Sequence, residues 1–309
     1  MLANFLNKSK PINFIGLLIF FFISFLSSVY FTFFPDSFTV DSILKSLALL
    51  LLFVIIFFIF NFIVGKNKLT FDNSYAYFLF TLLSIIILSD LLDYKSLILT
   101  IIYLLFIRKI YSLRSIKSVL EKLYDSGFWL GFFFISEPFS IFLFVLIYVA
   151  SYLHKKITIQ TLLVPIIGFI TPLIIYFTYF FWVDKTEKFT NLFSFEFNFN
   201  LDFYAQKKYF WTLICLLFFT ICTIFFKSIK TLSVNNKFRK SWILLITNFF
   251  ILIPFLFFLP NKNGSELIFI LFPVSVILAN GIELIKKNTF KNLVLYFFLV
   301  CSIILHYWL

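Results

Sequence analysis

Long apolar runs alternate with short polar punctuation along the whole chain. A helix needs roughly 20 apolar residues to cross a bilayer. Runs near that length lie at 12–34, 43–64, 162–183, 210–226, 241–259, 266–284 and 292–309. Two shorter runs, 75–89 and 91–107, flank Ser89-Asp90 and together fit a tight helical hairpin. The first run is too long for the core of a signal peptide and lacks a small-x-small cleavage site, so it reads as a retained helix.

Two segments break the pattern. In 108–126, Ile110, Leu113, Ile116, Leu120 and Leu123 recur at three- and four-residue steps with Lys and Arg opposite, which predicts an amphipathic helix on the membrane surface. In 127–153 the apolar stretch is interrupted by Ser136-Glu137-Pro138. Proline disrupts a helical ladder, so this stretch reads as a broken hairpin with its tip at Glu137-Pro138.

Charge decides between a single crossing and a hairpin. Lys and Arg concentrate in cytoplasmic loops. With the N-terminus inside and one simple crossing at 127–153, the basic loop 227–240 and Lys286, Lys287 and Lys291 fall outside. With a hairpin they fall inside, together with Lys8, Lys10, Lys66, Lys68, Lys155, Lys156 and the basic residues of 108–126. Only Lys45, Lys95, Lys185, Lys188, Lys207, Lys208 and Lys262 remain outside, beside Asp36, Asp41, Asp90, Asp93, Asp184, Glu187, Glu196, Asp202 and Glu266. The expected fold is all-α: a polytopic transmembrane helical bundle of about nine spans plus one re-entrant or broken hairpin. It is a single membrane domain over 1–309, with the N-terminus cytoplasmic, the C-terminus external and 184–209 as the longest external loop. A version in which 115–136 and 138–153 both cross gives the same loop sides; Lys117, Glu121, Lys122 and Asp125 make it costly.

Composition agrees. The 309 residues are 62% hydrophobic and 13% charged, whereas soluble domains run near 25% charged. The net charge of +12 comes as short clusters between apolar runs, the pattern of membrane loops rather than of a nucleic-acid binder. The 52 Phe residues carry no functional reading, because Phe, Ile, Asn, Lys and Tyr share AT-rich codons. Cys215, Cys222 and Cys301 lie in predicted spans and read as inert thiols. His154 and His306 read as interface residues. Two histidines and three cysteines cannot assemble a standard zinc, haem or non-haem iron site.

The candidate chemistry is carboxylate chemistry. Glu137 has apolar neighbours on both sides, and ionisable groups at depth mark ion or substrate paths. It could equally cap the half-helix that begins at Pro138. Asp36 and Asp41 lie in the first outer loop, Asp90 and Asp93 in the second. If the loops meet, these four acids form an outer site that binds a divalent cation or supplies a catalytic base. As plain loop acids they would only help to set topology.

Two resemblances follow from quoted stretches. Ile107-Arg-Lys-Ile-Tyr-Ser-Leu, Leu123-Tyr-Asp-Ser-Gly-Phe-Trp-Leu-Gly and Val164-Pro-Ile-Ile-Gly-Phe-Ile-Thr-Pro resemble an uncharacterised multi-pass membrane protein family of Bacteroidetes. Gly127-Phe-Trp-Leu-Gly-Phe-Phe-Phe-Ile-Ser-Glu-Pro and Asn261-Lys-Asn-Gly-Ser-Glu-Leu are more loosely similar to segments of superfamily C polyprenyl-phosphate-sugar glycosyltransferases. That second resemblance implies a catalytic base at Asp36 or Asp41. The chain departs from it in its shortness, in Asn263-Gly264 and in having no periplasmic domain.

Three readings stay open. The first is an inner-membrane protein of unknown biochemical role, set in envelope biogenesis. The second is a transferase that uses a lipid-linked sugar at the outer face through Asp36 or Asp41, with Asp90 and Asp93 binding. The third is a small permease or flippase with Glu137 in its path. A scaffold that pairs with other subunits is the non-catalytic counterpart. The bilayer is the partner common to all of them.

Overall fold

The structure is a computed structural model, and it describes residues 2–34, 39–195, 197, 199–231, 236–260 and 262–307. Among these residues there are helices and no strands. In chain order the helices are α1 (Leu2–Leu6), α2 (Pro11–Phe33), α3 (Val40–Asn67), α4 (Tyr75–Ile86), α5 (Tyr94–Ser112), α6 (Val119–Ser136) and α7 (Phe144–Leu153). Then come α8 (Ile159–Trp182), α9 (Glu187–Thr190), α10 (Asp202–Ala205), α11 (Lys207–Thr231), α12 (Asn236–Phe258), α13 (Ile268–Leu284) and α14 (Asn288–Tyr307).

Seven of the described helices are long and apolar enough to cross a membrane: α2, α3, α8, α11, α12, α13 and α14. They need lipid, not merely a core. In the most apolar 18-residue stretch of α11 only 11% is buried. Phe218, Phe225 and Phe226 lie open there. Only a bilayer makes that surface tolerable. The expectation of nine spans also counted 75–89 and 91–107. These are α4, 12 residues long and closed by a 3-10 turn at Leu88–Leu91, and α5, which carries Lys95 and Arg108-Lys109 near its two ends.

Local sequence sets the helix ends. Thr39 accepts the Ser42 amide at the start of α3, and Thr158 with Thr161 forms a reciprocal cap at the start of α8. α3 ends at Lys68 in the left-handed conformation (φ 51°), which returns its amide to Val64 and Gly65 carbonyls.

The chain divides into two units. Unit 1 comprises Met1–Ile98, Leu201–Phe238 and Asn263–Leu309. At its centre stands α4, every residue of which is buried. Aromatic rings fill the space around it: Phe60 stacks on Phe80 at 4.1 Å, Phe57 meets Phe80 edge-on, and Phe21 packs on Phe53 and Phe57. Each such pair adds about 0.5–1.5 kcal/mol beyond area burial, so the Phe richness does build this core.

One end of unit 1 is basic and the other acidic. At the basic end, α1 is tied down by Asn292 Oδ1 accepting the Ala3 amide (2.8 Å) and by Asn13 Nδ2 donating to the Phe5 carbonyl (2.8 Å). Lys8, Lys10, Lys66, Lys68 and Lys227 belong to this end. The far ends of α2 and α14 meet where Ser28 contacts His306 (3.3 Å).

Unit 2 comprises Leu99–Asn200 and Arg239–Lys262. Its backbone is the α6–α8 pair, packed main chain against main chain. A Cβ on Gly127 would stand 2.0 Å from the Pro165 carbonyl oxygen, and one on Gly168 2.2 Å from that of Tyr124. Gly127 and Gly131 are four apart on α6, so the Gly-x-x-x-Gly of the sequence is a helix-packing face here.

The predicted surface helix over 108–126 takes a different form. α5 ends at Ser112, a turn occupies 113–118, and α6 begins at Val119. The apolar stripe is shared between two helices and a turn because Leu113, buried, belongs to the core while Ile116 is 87% exposed. The stretch 127–153 runs as the second half of α6, a break at Glu137, a 3-10 segment Pro138–Leu143 and α7. Its return is fixed by Lys156, whose Nζ donates to the carbonyls of Leu113 (2.5 Å) and Ser115 (2.6 Å). The chain therefore leaves and re-enters the same end of unit 2.

Candidate functional site

At the acidic end of unit 1, three segments far apart in sequence converge. The 3-10 turn after α4 supplies Asp90, the α10–α11 corner supplies Tyr204 and Tyr209, and the loop before α13 supplies Asn263, Gly264, Ser265 and Glu266. Gly264 adopts φ 88°, open to glycine and strained for other residues. A Cβ there would also meet Asp90 Oδ2 at 3.0 Å. Ser89-Asp90, the expected hairpin turn and one of the candidate outer acids, is thus packed against a second loop.

The hydrogen bonds form two neighbouring sets, one around Asp90 and one that runs from Glu266 to Asp93. Tyr209 donates its hydroxyl to Asp90 Oδ2 (2.6 Å). Tyr204 donates to Glu266 Oε1, and the Asn263 amide reaches Glu266 Oε2 (3.3 Å). Ser265 donates to Asn263 Oδ1 (2.7 Å), and Ser96 donates to Ser265 (2.8 Å). The Ser96 amide in turn caps on Asp93 (3.0 Å). Glu266 is only 5% exposed, although it lies in a loop. Burial and the adjacent Glu266 carboxylate push the Tyr204 hydroxyl well above the usual phenol range, so Tyr204 stays a neutral donor.

The predicted residues fare differently. Asp90 and Asp93 are both at this end, Asp90 with Tyr209 and Asp93 with Ser96. Asp41 has a different partner: it is largely exposed and pairs with Lys45 one turn on (2.7 Å), whose carbonyl accepts the Tyr94 hydroxyl. Asp36 lies outside the described residues. Glu137 belongs to unit 2, half-buried at the turn between α6 and the 3-10 segment; its amide donates to Phe133 and its carbonyl accepts from Ser140. The neighbouring Phe139 packs on Phe195, Phe197 and Phe258. Glu137 is thus the residue between the end of α6 and the 3-10 segment. Among the described residues, no three His, Cys, Asp or Glu side chains gather as metal ligands.

Two features escaped sequence reasoning. From the sequence Glu266 is one outer acid among several, although its position just after Gly264 in a short loop marks a constrained place. Glu283 has no sequence signature. It lies near the end of α13, 5% exposed, and pairs with Lys227 of α11 at 3.1 Å. It also accepts the Phe71 amide and Asn73 Nδ2, both at 2.7 Å. Lys227 stands 5.3 Å from the ring centroids of Phe71 and Phe238.

The profile of a family of unknown function, DUF6427, matches residues 1–308. The chain belongs to the DUF6427 family. No curated protein and no solved structure matches it. For this DUF6427 chain, the working groups must therefore be read from geometry. The acidic end of unit 1 offers carboxylates held by tyrosines, with an amide and hydroxyls beside them. That set can accept hydrogen bonds from a polyol, and Phe203, against Tyr209 at 4.6 Å, adds an aromatic face.

Proposed function

We propose that the protein is a multi-pass protein of the plasma membrane that receives the hydroxylated head of a membrane-borne, lipid-linked substrate at the acidic end of unit 1. Envelope biogenesis is the setting this reading implies. The observation that carries it is Glu266, a carboxylate buried in the 3-10 turn Ser265–Leu267 that leads into α13 and held there by Tyr204 and Asn263. Burying a charge without purpose is costly, and a sugar's hydroxyls are the natural complement to such acceptors.

Asp90 is half-exposed and takes the role of proton acceptor for an attacking hydroxyl, with Tyr209 holding it. Asp93 and Asn263 orient the head. Asp41, tied to Lys45 at the start of α3, stays a topology-setting acid in this reading. The positive-inside preference puts the Lys8–Lys10 and Lys66–Lys68 end in the cytoplasm and the Asp90–Glu266 end outside.

Binding of a polyprenyl-phosphate-linked hexose to the purified chain in nanodiscs tests the reading. Wild-type protein is expected to bind, with Asp41→Asn equal to it. Glu266→Gln and Asp90→Asn are expected to weaken binding by about tenfold or more, the loss of a charge-assisted hydrogen bond. Equal binding by all four proteins, or none by the wild type, overturns it. Orientation is checked in a cysteine-free background: Ser89→Cys should label from outside and Ser115→Cys only after permeabilisation.

A further inference from the structure

Unit 2 carries a second arrangement, unconnected to the reading above. α7 and α12 run antiparallel. Phe142, just before α7, meets Phe258 at the end of α12 (5.8 Å), while His154, just after α7, lies in the field of Lys240 near the start of α12. Between the two helices runs an open apolar groove of ≈ 430 Å³, lined by Phe142 and Val145 on one side and Ile246, Phe250, Ile251 and Pro254 on the other. This is within the range of sites that take small ligands. Pro254 has no amide hydrogen, so α12 lacks a rung at the groove. Thr247, the polar residue of the lining, gives its hydroxyl to the Ile243 carbonyl and asks nothing of a ligand.

At the α7 C-terminal end of the same two helices, cations gather. Lys122 and Lys156 both reach Ser115, Lys122 at its hydroxyl and Lys156 at its carbonyl. Burial and then Lys240 depress the basicity of His154, and burial, then Lys122 and Lys240, that of Lys156. Among the described residues no carboxylate pairs with Lys156 or Lys240. From Ile246 back to Lys240 is six residues of helix, about 9 Å. The turn beside them presents Ile116, 87% exposed, between Arg114 and Lys117, a fit for the headgroup–acyl boundary.

We infer that the α7–α12 groove is a binding site for an anionic phospholipid of the bilayer, its acyl chain along Val145, Ile246 and Phe250 and its phosphate between Lys156 and Lys240. Charge and shape point to the same occupant. A zwitterionic lipid would fill the groove and leave the cations unanswered. A free phosphate would answer the cations and leave the groove empty. Basic pockets between transmembrane helices on the cytoplasmic side select anionic headgroups by this physics.

The test uses the full chain in uncharged detergent, with three probes at equal ionic strength: dihexanoyl phosphatidylglycerol, dihexanoyl phosphatidylcholine and inorganic phosphate. Native mass spectrometry and thermal shift give the affinities. The phosphatidylglycerol probe is expected to bind tightest. Lys156→Gln with Lys240→Gln should weaken it by about 30-fold, roughly fivefold per lysine, and leave phosphatidylcholine unchanged. Val145→Phe should weaken both lipids and leave inorganic phosphate unchanged. If the double variant does not purify, Lys240→Gln alone must show the fivefold loss and Lys240→Arg must restore it. Equal binding of the two lipids, unaltered binding by the lysine variants, or inorganic phosphate binding as tightly as the phosphatidylglycerol probe overturns the inference. Glu266→Gln is expected to bind the probe like wild type, which separates this site from the one in unit 1.

Discussion

Two lysines, one in each unit, are treated in opposite ways. In unit 1, Lys227 is buried to 7% and answered from within by Glu283, by the two ligands that orient Glu283, and by two aromatic faces. In unit 2, Lys156 is half-buried among other cations, and among the described residues its amine is held by carbonyl dipoles. The same residue type is thus a lock in one place and an open valence in the other. A charge neutralised inside the fold does its work by fixing α11 to α13. A charge left facing its own kind raises the energy of the empty protein, and a ligand of the opposite sign lowers it.

The largest effect is expected on the lock. Glu283→Ala strands a buried ammonium, and removing one partner of a buried pair costs about 3–5 kcal/mol. The thermal midpoint in mild detergent should fall sharply. Replacing both partners, Lys227→Met with Glu283→Met, should recover most of the loss, because the desolvation of two ions disappears with their attraction. A double variant as unstable as Glu283→Ala would mean that the pair is more than mutual compensation.

Next comes the fastening of unit 2, which uses close packing where unit 1 uses rings and charge. Gly168→Val places a branched side chain where even a Cβ would stand 2.2 Å from the Tyr124 carbonyl oxygen. Overpacking typically costs about 1–3 kcal/mol. The contrast is Gly65 on α3, where a Cβ meets nothing within 4 Å. Gly65→Ala should leave the midpoint unchanged or raise it slightly, since alanine favours the helix by up to about 1 kcal/mol. Similar midpoints for the two variants would remove the argument for main-chain contact between α6 and α8.

Much of this architecture is legible in the sequence, and its limits have physical causes. The long runs read correctly as helices because lipid exposure demands unbroken apolarity. The break at Glu137-Pro138 is visible because proline acts locally. What the sequence hides is pairing across distance. Tyr209 reaches Asp90 across 119 residues, and Lys227 reaches Glu283 across 56. Neither carboxylate has a local signature that separates it from a loop acid. The 108–126 stripe misled for the converse reason. Its periodicity is real on both sides of the turn, so a helical pattern ran straight through a segment that the core pulls apart at Leu113 and exposes at Ile116. At the candidate site, Asp90 and Asp93 were legible as outer acids. Their tyrosine and loop partners were not, because aromatic residues are too common in this chain for any one to stand out.

A pH-dependent effect sharpens the comparison most, because it reads the cations of unit 2 directly. Burial, then Lys240, Lys156 and Arg114, pulls the His154 imidazole down from 6.5 to about 4. A group depressed in the fold contributes stability above its unfolded value and loses it as pH falls toward the folded one. Wild-type stability relative to His154→Gln should therefore decline between about pH 6.5 and about pH 4 and level off below. Lys156→Gln removes one repelling charge and should narrow that window from its acid side. Dihexanoyl phosphatidylglycerol should narrow it further by placing a negative charge among the same groups, whereas phosphatidylcholine should not. In unit 1 the lipid headgroup has no counterpart effect to exert on Lys227, because Glu283 already occupies the place an anion would take.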